Sequence, residues 1–320
     1  MINKIQIFKS ILLGSLIGIG LIGNIYAQKG KKGNIKGNDA VPILKIGLVA
    51  DPQYCNCDTE RDRNYCQALG RLSEAMDTFN NSKVDFVMNL GDMIEKYINS
   101  YDSVGKIYDR LNMPFYNLLG NHEFEQVSKK YLANLLVRYK MPGFYYDFDY
   151  KNWRFIVLDG TELAKYAKKL HPDLVNEGDS LWHSVVERHK MPAWNGGISQ
   201  RQQIWMKERL NDALKDHLNV IVFCHFPVYP ESVEHVLWNY NDIMEILKNY
   251  PNVVAYINGH YHAGHYGYKD GIHYITMKAM LDNPDRNSFA ILEIYPNEIR
   301  IKGFGAVIDK NLPYKDIKNR

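Results

Sequence analysis

The chain has 320 residues, 46% of them hydrophobic and 23% charged, and a net charge of +3. That composition suits a globular protein with a sizeable core and argues against wholesale disorder. The small positive charge comes with no dense Lys/Arg face and no nucleic-acid motif, so no nucleic-acid partner is expected.

Read from the start, Lys4 and Lys9 precede the apolar run Ile11–Gly23, and "NIYA" ends on a small residue, Ala27. This is the pattern of a secretory signal, assigned to residues 1–27. The run is shorter than the roughly 20 apolar residues that span a bilayer. The expectation is therefore an exported protein, periplasmic or secreted, with no stable membrane span after cleavage. No cysteine follows the apolar run, which speaks against a bacterial lipid anchor. Residues 28–40 are rich in Gly and Lys and read as a flexible linker. The remaining chain divides into a main domain, 41–308, and a tail, 309–320.

Candidate strands follow in order: Ile43–Ala50, Asp85–Leu90, Pro114–Leu119, Arg154–Asp159, Asn219–His225, Val253–Asn258, His273–Lys278, Phe289–Tyr295 and Glu298–Lys302. Helical patterns lie between them at Tyr65–Asn80, Val127–Tyr139, Gln200–Leu218 and Asp242–Asn249. The third opens on a capping box, Ser199 with Gln202, and places Met206, Leu210, Ala213 or Leu214, and Leu218 on one face. Early strand–helix alternation argues α/β, and the closing run of strands argues a second, antiparallel-rich sheet. Two sheets packed face to face with helices outside, a four-layer αββα sandwich, reconcile both. Gly160–Gly197 fits neither period and is expected to be a lid or pocket wall.

Four cysteines bear on the exported setting. Cys55, Cys57 and Cys66 cluster, and one disulfide among them is expected, using Cys66. Cys224 lies in an apolar run and reads as a core residue.

The strand ends carry the chemistry. "ADPQ" places Asp51 and Gln53 after the first strand, and "LGDMIE" places Asp92 and Glu95 after the second. "LGNHE" places Asn121, His122 and Glu123 after the third. Two later strands end on His225 and on "GHYH", His260 and His262. Each alone is ordinary turn chemistry. Five strands ending this way put Asp, Asn, Gln and His where α/β sheets build their sites. Mixed donors of this kind suit Mn, Fe or Zn better than Ca or Mg. Two such ions about 3.5–4 Å apart can clamp a phosphoryl displacement.

In order, Asp51-x-Gln53, Gly91-Asp92, Gly120-Asn121-His122-Glu123, His225 and Gly259-His260-x-His262 resemble the signature of the calcineurin-like metallophosphoesterases. "YYDFDYKNWRFIVLD" resembles that superfamily's hairpin before the middle strand. Gln53 in place of the usual His, with "ADPQY", "WNGGISQRQQIW", "HFPVYPES" and "LWNYNDIM", is similar to the manganese-dependent ADP-ribose/CDP-alcohol diphosphatases. The resemblance implies two divalent ions, Mn preferred with Fe or Zn admissible, and a small phosphorylated substrate of nucleotide type. Asp51, Gln53, Asp92 and His262 would hold one ion; Asp92, Asn121, His225 and His260 would hold the other. His122 would serve the leaving group as the catalytic residue. Tyr54, Tyr65, Asn195, His235 and Trp238 are candidate substrate contacts, with Asn195–Gly197 offering helix N–H groups to a phosphate. Glu95 and Glu123 read as supporting or surface groups. Phosphomonoester, cyclic-nucleotide or lipid phosphodiester hydrolysis is the alternative on the same fold.

Overall fold

The computed structural model describes residues 41–95, 97, 99–124, 129–229 and 234–319, without the side chains of 129–133 and 319. The leader and linker expected over residues 1–40 lie outside the described residues. One compact unit begins at Ala40.

Two six-stranded sheets make the core. The first joins β1 (Leu44–Val49), β2 (Phe86–Asn89) and β3 (Phe115–Asn117) in parallel. It continues antiparallel through β10 (Ser288–Ile294), β11 (Glu298–Gly305) and β12 (Lys310–Pro313). The second opens with the hairpin of β4 (Tyr146–Tyr150) and β5 (Trp153–Val157). It runs parallel through β6 (Asn219–Phe223), β7 (Val253–Asn258) and β9 (Ile272–Thr276), and β8 (His265–Lys269) pairs antiparallel at its edge.

Side-chain alternation builds the layers. Phe155, Val157, Ile221 and Phe223 turn inward, and Phe86 of β2 meets Phe155 of β5 edge-on at 5.1 Å. Their neighbours Ile156, Val220 and Val222 turn outward to a second cluster. That cluster is closed by α6 (Gln200–Lys215), through Met206, Leu210 and Ala213, and by α7 (Tyr240–Leu247). On the first sheet, α1 (Ala68–Ser82) buries Leu72, Ala75, Met76 and Phe79 at helical spacing. Gly47 permits this approach, because a Cβ there would sit 3.0 Å from the Phe79 ring. Beside α1 lies α2 (Ser100–Tyr108), and α3 (Lys129–Arg138) follows β3.

Several expectations shift. Residues 310–313, expected as tail, form an edge strand paired with β11. β8 and α2 were not expected. In α2 only Tyr101, Val104 and Tyr108 are strongly apolar and buried, too sparse a pattern over nine residues to stand out. Gly160–Gly197 is a chain of short turns: 3₁₀ turns at Lys165–Ala167 and Pro172–Leu174, then α4 (Val175–Leu181), a π turn Trp182–Val186 and α5 (Glu187–His189). Its last residues pack closely, since a Cβ on Gly196 would lie 2.1 Å from the Gly160 carbonyl. The capping box of α6 is half formed. Ser199 Oγ accepts from the Gln202 N–H, but the Gln202 amide turns to Asp159 and Glu162, and the Ser199 N–H donates to Glu162.

The cysteines also differ. Cys55 bonds to Cys57, while Cys66 keeps an exposed free thiol. Cys66 Sγ lies 3.1 Å from the Cys57 carbonyl oxygen, turned to the backbone rather than to a sulfur. Cys224 is fully buried, as expected of a core residue.

Candidate metal centre

Parallel strands from both sheets deliver their carboxyl ends to one place. Asp51 and Gln53 follow β1, Asp92 follows β2, Asn121 and His122 follow β3, His225 follows β6, and His260 and His262 follow β7. Each strand must stop abruptly to turn its side chain inward. Asp51, Gln53, Asp92 and His260 do so in the left-handed region, with φ of 49°, 41°, 52° and 68°. The Gly preceding each ligand motif has a steric cause: a Cβ on Gly120 would fall 2.1 Å from Asp92 Oδ1, and one on Gly259 2.5 Å from Asp51 Oδ2.

The ligand atoms of Asp92, His225 and His260 lie within 4.8 Å of one another. Asp92 Oδ2 is 3.1 Å from His225 Nε2 and 3.1 Å from Gln53 Nε2. His260 Nδ1 is 3.2 Å from His225 Nε2, and His262 Nε2 is 3.3 Å from Gln53 Nε2 and 3.9 Å from Asp51 Oδ1. Asp51 accepts the His260 N–H with both oxygens at 3.1 Å.

Hydrogen bonds fix the histidine tautomers. His225 donates from Nδ1 to the Leu90 carbonyl at 2.8 Å, and His260 from Nε2 to Asn195 Oδ1 at 2.8 Å. The Asn195 orientation is set by its Nδ2, which donates to the Glu234 carbonyl. His262 turns Nδ1 to both oxygens of Asp282, at 3.1 and 3.0 Å. All three rings therefore aim their second nitrogen inward, toward two buried carboxylates, and each is a ligand lone pair once unprotonated. Gln53 Oε1 is buried there without a hydrogen-bond partner, and Asn121 Oδ1, after β3, is likewise buried and unpartnered. Inward lone pairs, paired carboxylates and orphaned amide oxygens fit a divalent cation centre.

Electrostatics agree. Burial pushes Asp51 up to about 6, although His225 and His262 oppose it. Asp92 is held far below the usual carboxylate range: burial would raise it, but the charges of His225 and His122 prevail. Burial also opposes charge on His225, yet Asp92 and Asp51 carry it up to about 9. The negative field that draws a proton to His225 in the metal-free protein would draw a divalent cation in its place.

Of the two roles read for it, supporting or surface, Glu123 has the supporting one. Fully buried, it accepts the N–H groups of Asp92, Met93 and Gly120 at 3.0, 2.7 and 2.6 Å, tying the loop after β2 to the loop after β3. Glu95 lies 3.0 Å from His122 Nδ1, and His122 Nε2 is 3.9 Å from Asp92 Oδ2. The imidazole therefore has a carboxylate behind it and the cluster before it. The pairing was legible in "GDMIE" and "GNHE" only as two acids near two turns. Asp282 was missed, although "AMLD" after β9 repeats the strand-end pattern.

The substrate expectations fare unevenly. Asn195 reaches the cluster, but as the partner of His260. At the start of α6 the Gln200 N–H goes to Glu177 and the Gln202 N–H to Ser199, so neither is open to a phosphate. Trp238 is buried and gives its indole N–H to Pro192, edge-on to Trp182. Tyr65 is buried with Cys55 and Leu281 and offers no open stacking face, whereas Tyr54 packs half-buried on the main core. His235 lines a small cavity with Tyr229, Tyr261 and His265, its ring 5.8 Å from that of His260.

This fold and site define a metal-dependent phosphohydrolase built on a two-sheet sandwich. Residues 44–264 match the calcineurin-like phosphoesterase family, and the chain belongs to it. Among curated proteins it is 28% identical to the manganese-dependent ADP-ribose/CDP-alcohol diphosphatase of Xenopus tropicalis, over 87% of this chain and 96% of that protein. The protein of the same name from Oryza sativa subsp. japonica is 29% identical, over 88% and 98%. Among solved structures, a dimetal phosphatase from Danio rerio superposes with a TM-score of 0.78 at 24% identity, covering 86% of this chain and all of that one. A purple acid phosphatase from yellow lupin shares the fold at a TM-score of 0.56 and 12% identity, over 87% of this chain and 55% of that one.

Proposed function

We propose that the protein hydrolyses the pyrophosphate linkage of nucleoside diphosphates that carry a sugar or an alcohol, with ADP-ribose and CDP-alcohols as the substrate class. The observation that carries this reading is the convergence of Asp51, Gln53, Asp92, His225, His260 and His262, with the amide of Gln53 among them. Relatives bearing the diphosphatase name along nearly their whole length support it.

Asp51, Gln53, Asp92 and His262 would hold one ion, and Asp92, Asn121, His225 and His260 the other, with Asp92 shared. Bound there, the ions supply charge neutralisation at the phosphoryl group and a water acidic enough to attack phosphorus. The neutral oxygen donor of Gln53 favours Mn over Zn. His122, oriented by Glu95, donates a proton or hydrogen bond to the departing oxygen. Glu123 keeps Asp92 and the β3 loop in register.

The test is the metal-stripped mature protein resupplied with Mn²⁺ and given ADP-ribose. AMP and ribose 5-phosphate, absent without metal, are expected. Rapid cleavage of a generic phosphomonoester or cyclic phosphodiester with ADP-ribose untouched would overturn the substrate class and keep the hydrolase. We also infer export from the leader read at residues 1–27. Among the described residues no helix is long and apolar enough to cross a membrane. A secreted or periplasmic product starting near Gln28 is expected by N-terminal sequencing; an intact Met1 product in the cytosol would overturn export.

A further inference from the structure

The three inward-facing histidines have unlike partners behind them. His225 is backed by a backbone carbonyl, His260 by an amide oxygen, and His262 by the carboxylate of Asp282 at 3.0 and 3.1 Å. His262 also neighbours Gln53, the amide assigned to the same ion, with 3.3 Å between their Nε2 atoms. An amide donor and the histidine backed by a carboxylate thus share one corner. A carboxylate behind an imidazole fixes its ring and raises its basicity as a ligand.

Asp282 is itself held. Arg71 of α1, buried, gives its Nη1 to the carbonyls of Met280, Leu281 and Asp282, and its Nη2 to that of Asn283 and to Gln67 Oε1. Those hydrogen bonds go to backbone and amide, leaving the Asp282 carboxylate to His262. The same loop is stitched to the donor set by its backbone: Ala279 N–H to the His262 carbonyl at 3.1 Å, Met280 to Ala50 at 2.9 Å and Leu281 to Asp51 at 3.2 Å.

We propose that Asp282, braced by Arg71, is a positioning residue that compensates for the neutral Gln53 donor at one of the two metal positions. This rests on the two-metal reading above. Three relations follow. Removing the Asp282 charge weakens one ion selectively. Restoring an imidazole at position 53 makes that charge dispensable. Loosening the Arg71 brace acts on the same ion as Asp282.

The experiment titrates Mn²⁺ into the metal-stripped full-length mature protein by calorimetry, with electron paramagnetic resonance counting free ion. The wild type is expected to bind two ions. Asp282→Asn should weaken one of them about 10–100-fold and leave the other in place; Gln53→His/Asp282→Asn should recover most of that loss. Arg71→Lys, which keeps charge but cannot span the carbonyls, should weaken the same ion less. Melting curves of the metal-free variants separate misfolding from weakened binding, and Arg71→Lys carries the test if Asp282→Asn does not fold. Equal weakening of both ions, no weakening, or no rescue by Gln53→His would overturn the proposal. A wild type binding fewer than two ions would overturn the two-metal reading itself.

Discussion

Two buried polar clusters stand at strand ends, one gathered from both sheets and one at the end of β5, and they spend their lone pairs differently. At the metal centre the outward nitrogens of three histidines are bonded to the protein and the inward ones face carboxylates. At the end of β5, Asp159, Thr161, Glu162, His171, Ser199 and Gln202 are equally buried. There Asp159 Oδ1 accepts from the Thr161 N–H and hydroxyl, and Glu162 Oε1 accepts from the Ser199 N–H and the Gln202 amide. His171 sits 3.5 Å from Asp159 as its counter-charge. Similar residues at similar depth give a converging centre in one case and a brace for the start of α6 in the other. Direction, rather than composition, separates them.

The sharpest way to break this comparison is at the shared carboxylate. Asp92→Asn should lower kcat on ADP-ribose by at least ~10³-fold even in excess Mn²⁺, since several kcal/mol of charge stabilisation depend on ions it helps hold. Activity within tenfold of wild type would remove Asp92 from the centre. Next, Glu123→Ala strands three buried N–H groups and should destabilise the metal-free protein by about 3 kcal/mol, read as a lower urea midpoint. An unchanged midpoint would mean that the loops hold without it. His122→Ala should reduce kcat by about 10²-fold or more with Mn²⁺ stoichiometry unchanged; a matching loss of bound metal would make His122 a support for Asn121 instead.

The smallest effect concerns the bracing cluster. Burial, then the neighbouring Asp159, push Glu162 from 4.5 up to about 7. The folded protein therefore binds this proton more readily than the unfolded chain between those values, and stability falls as pH rises through them. His171, raised by Asp159 against the effect of burial, acts in the same direction, its contribution present at low pH and lost as pH climbs. Glu162→Gln keeps the acceptor oxygen and should flatten the decline of urea midpoint across that window while leaving Mn²⁺ affinity alone. A slope identical to wild type would place the pH dependence elsewhere.

Much of this was legible in the sequence, for identifiable reasons. Strands β2, β6 and β7 are largely apolar runs because both faces are covered, and the ends of β2, β3 and β7 are marked by Gly beside a polar ligand. Those glycines are compulsory once the ligands crowd together, which is why "GD", "GNHE" and "GHYH" could be read as parts of one site. Edge elements were harder: β8 and β12 are short and half exposed, so no face writes a pattern into them. Arg71 escaped because its role exists only after residues more than 200 positions apart meet, and Asp282 because the His262 it backs lies 20 positions before it, across the β8–β9 hairpin. Trp238 and Tyr65 were misjudged because an aromatic near a motif looks the same whether it lines a pocket or fills a wall.

Asp51, Gln53, Asp92 and His260 all hold left-handed backbone that residues with a Cβ adopt at a cost of roughly 1–2 kcal/mol each. Four of them amount to about 4–8 kcal/mol, comparable with the ~5–15 kcal/mol by which a domain is folded at all. Glycine at these positions would relieve the backbone and erase the donors together. A screen rewarding only heat resistance would therefore drift toward a sturdier sandwich with nothing at its strand ends, so any campaign to stabilise this protein has to select for bound manganese at every round.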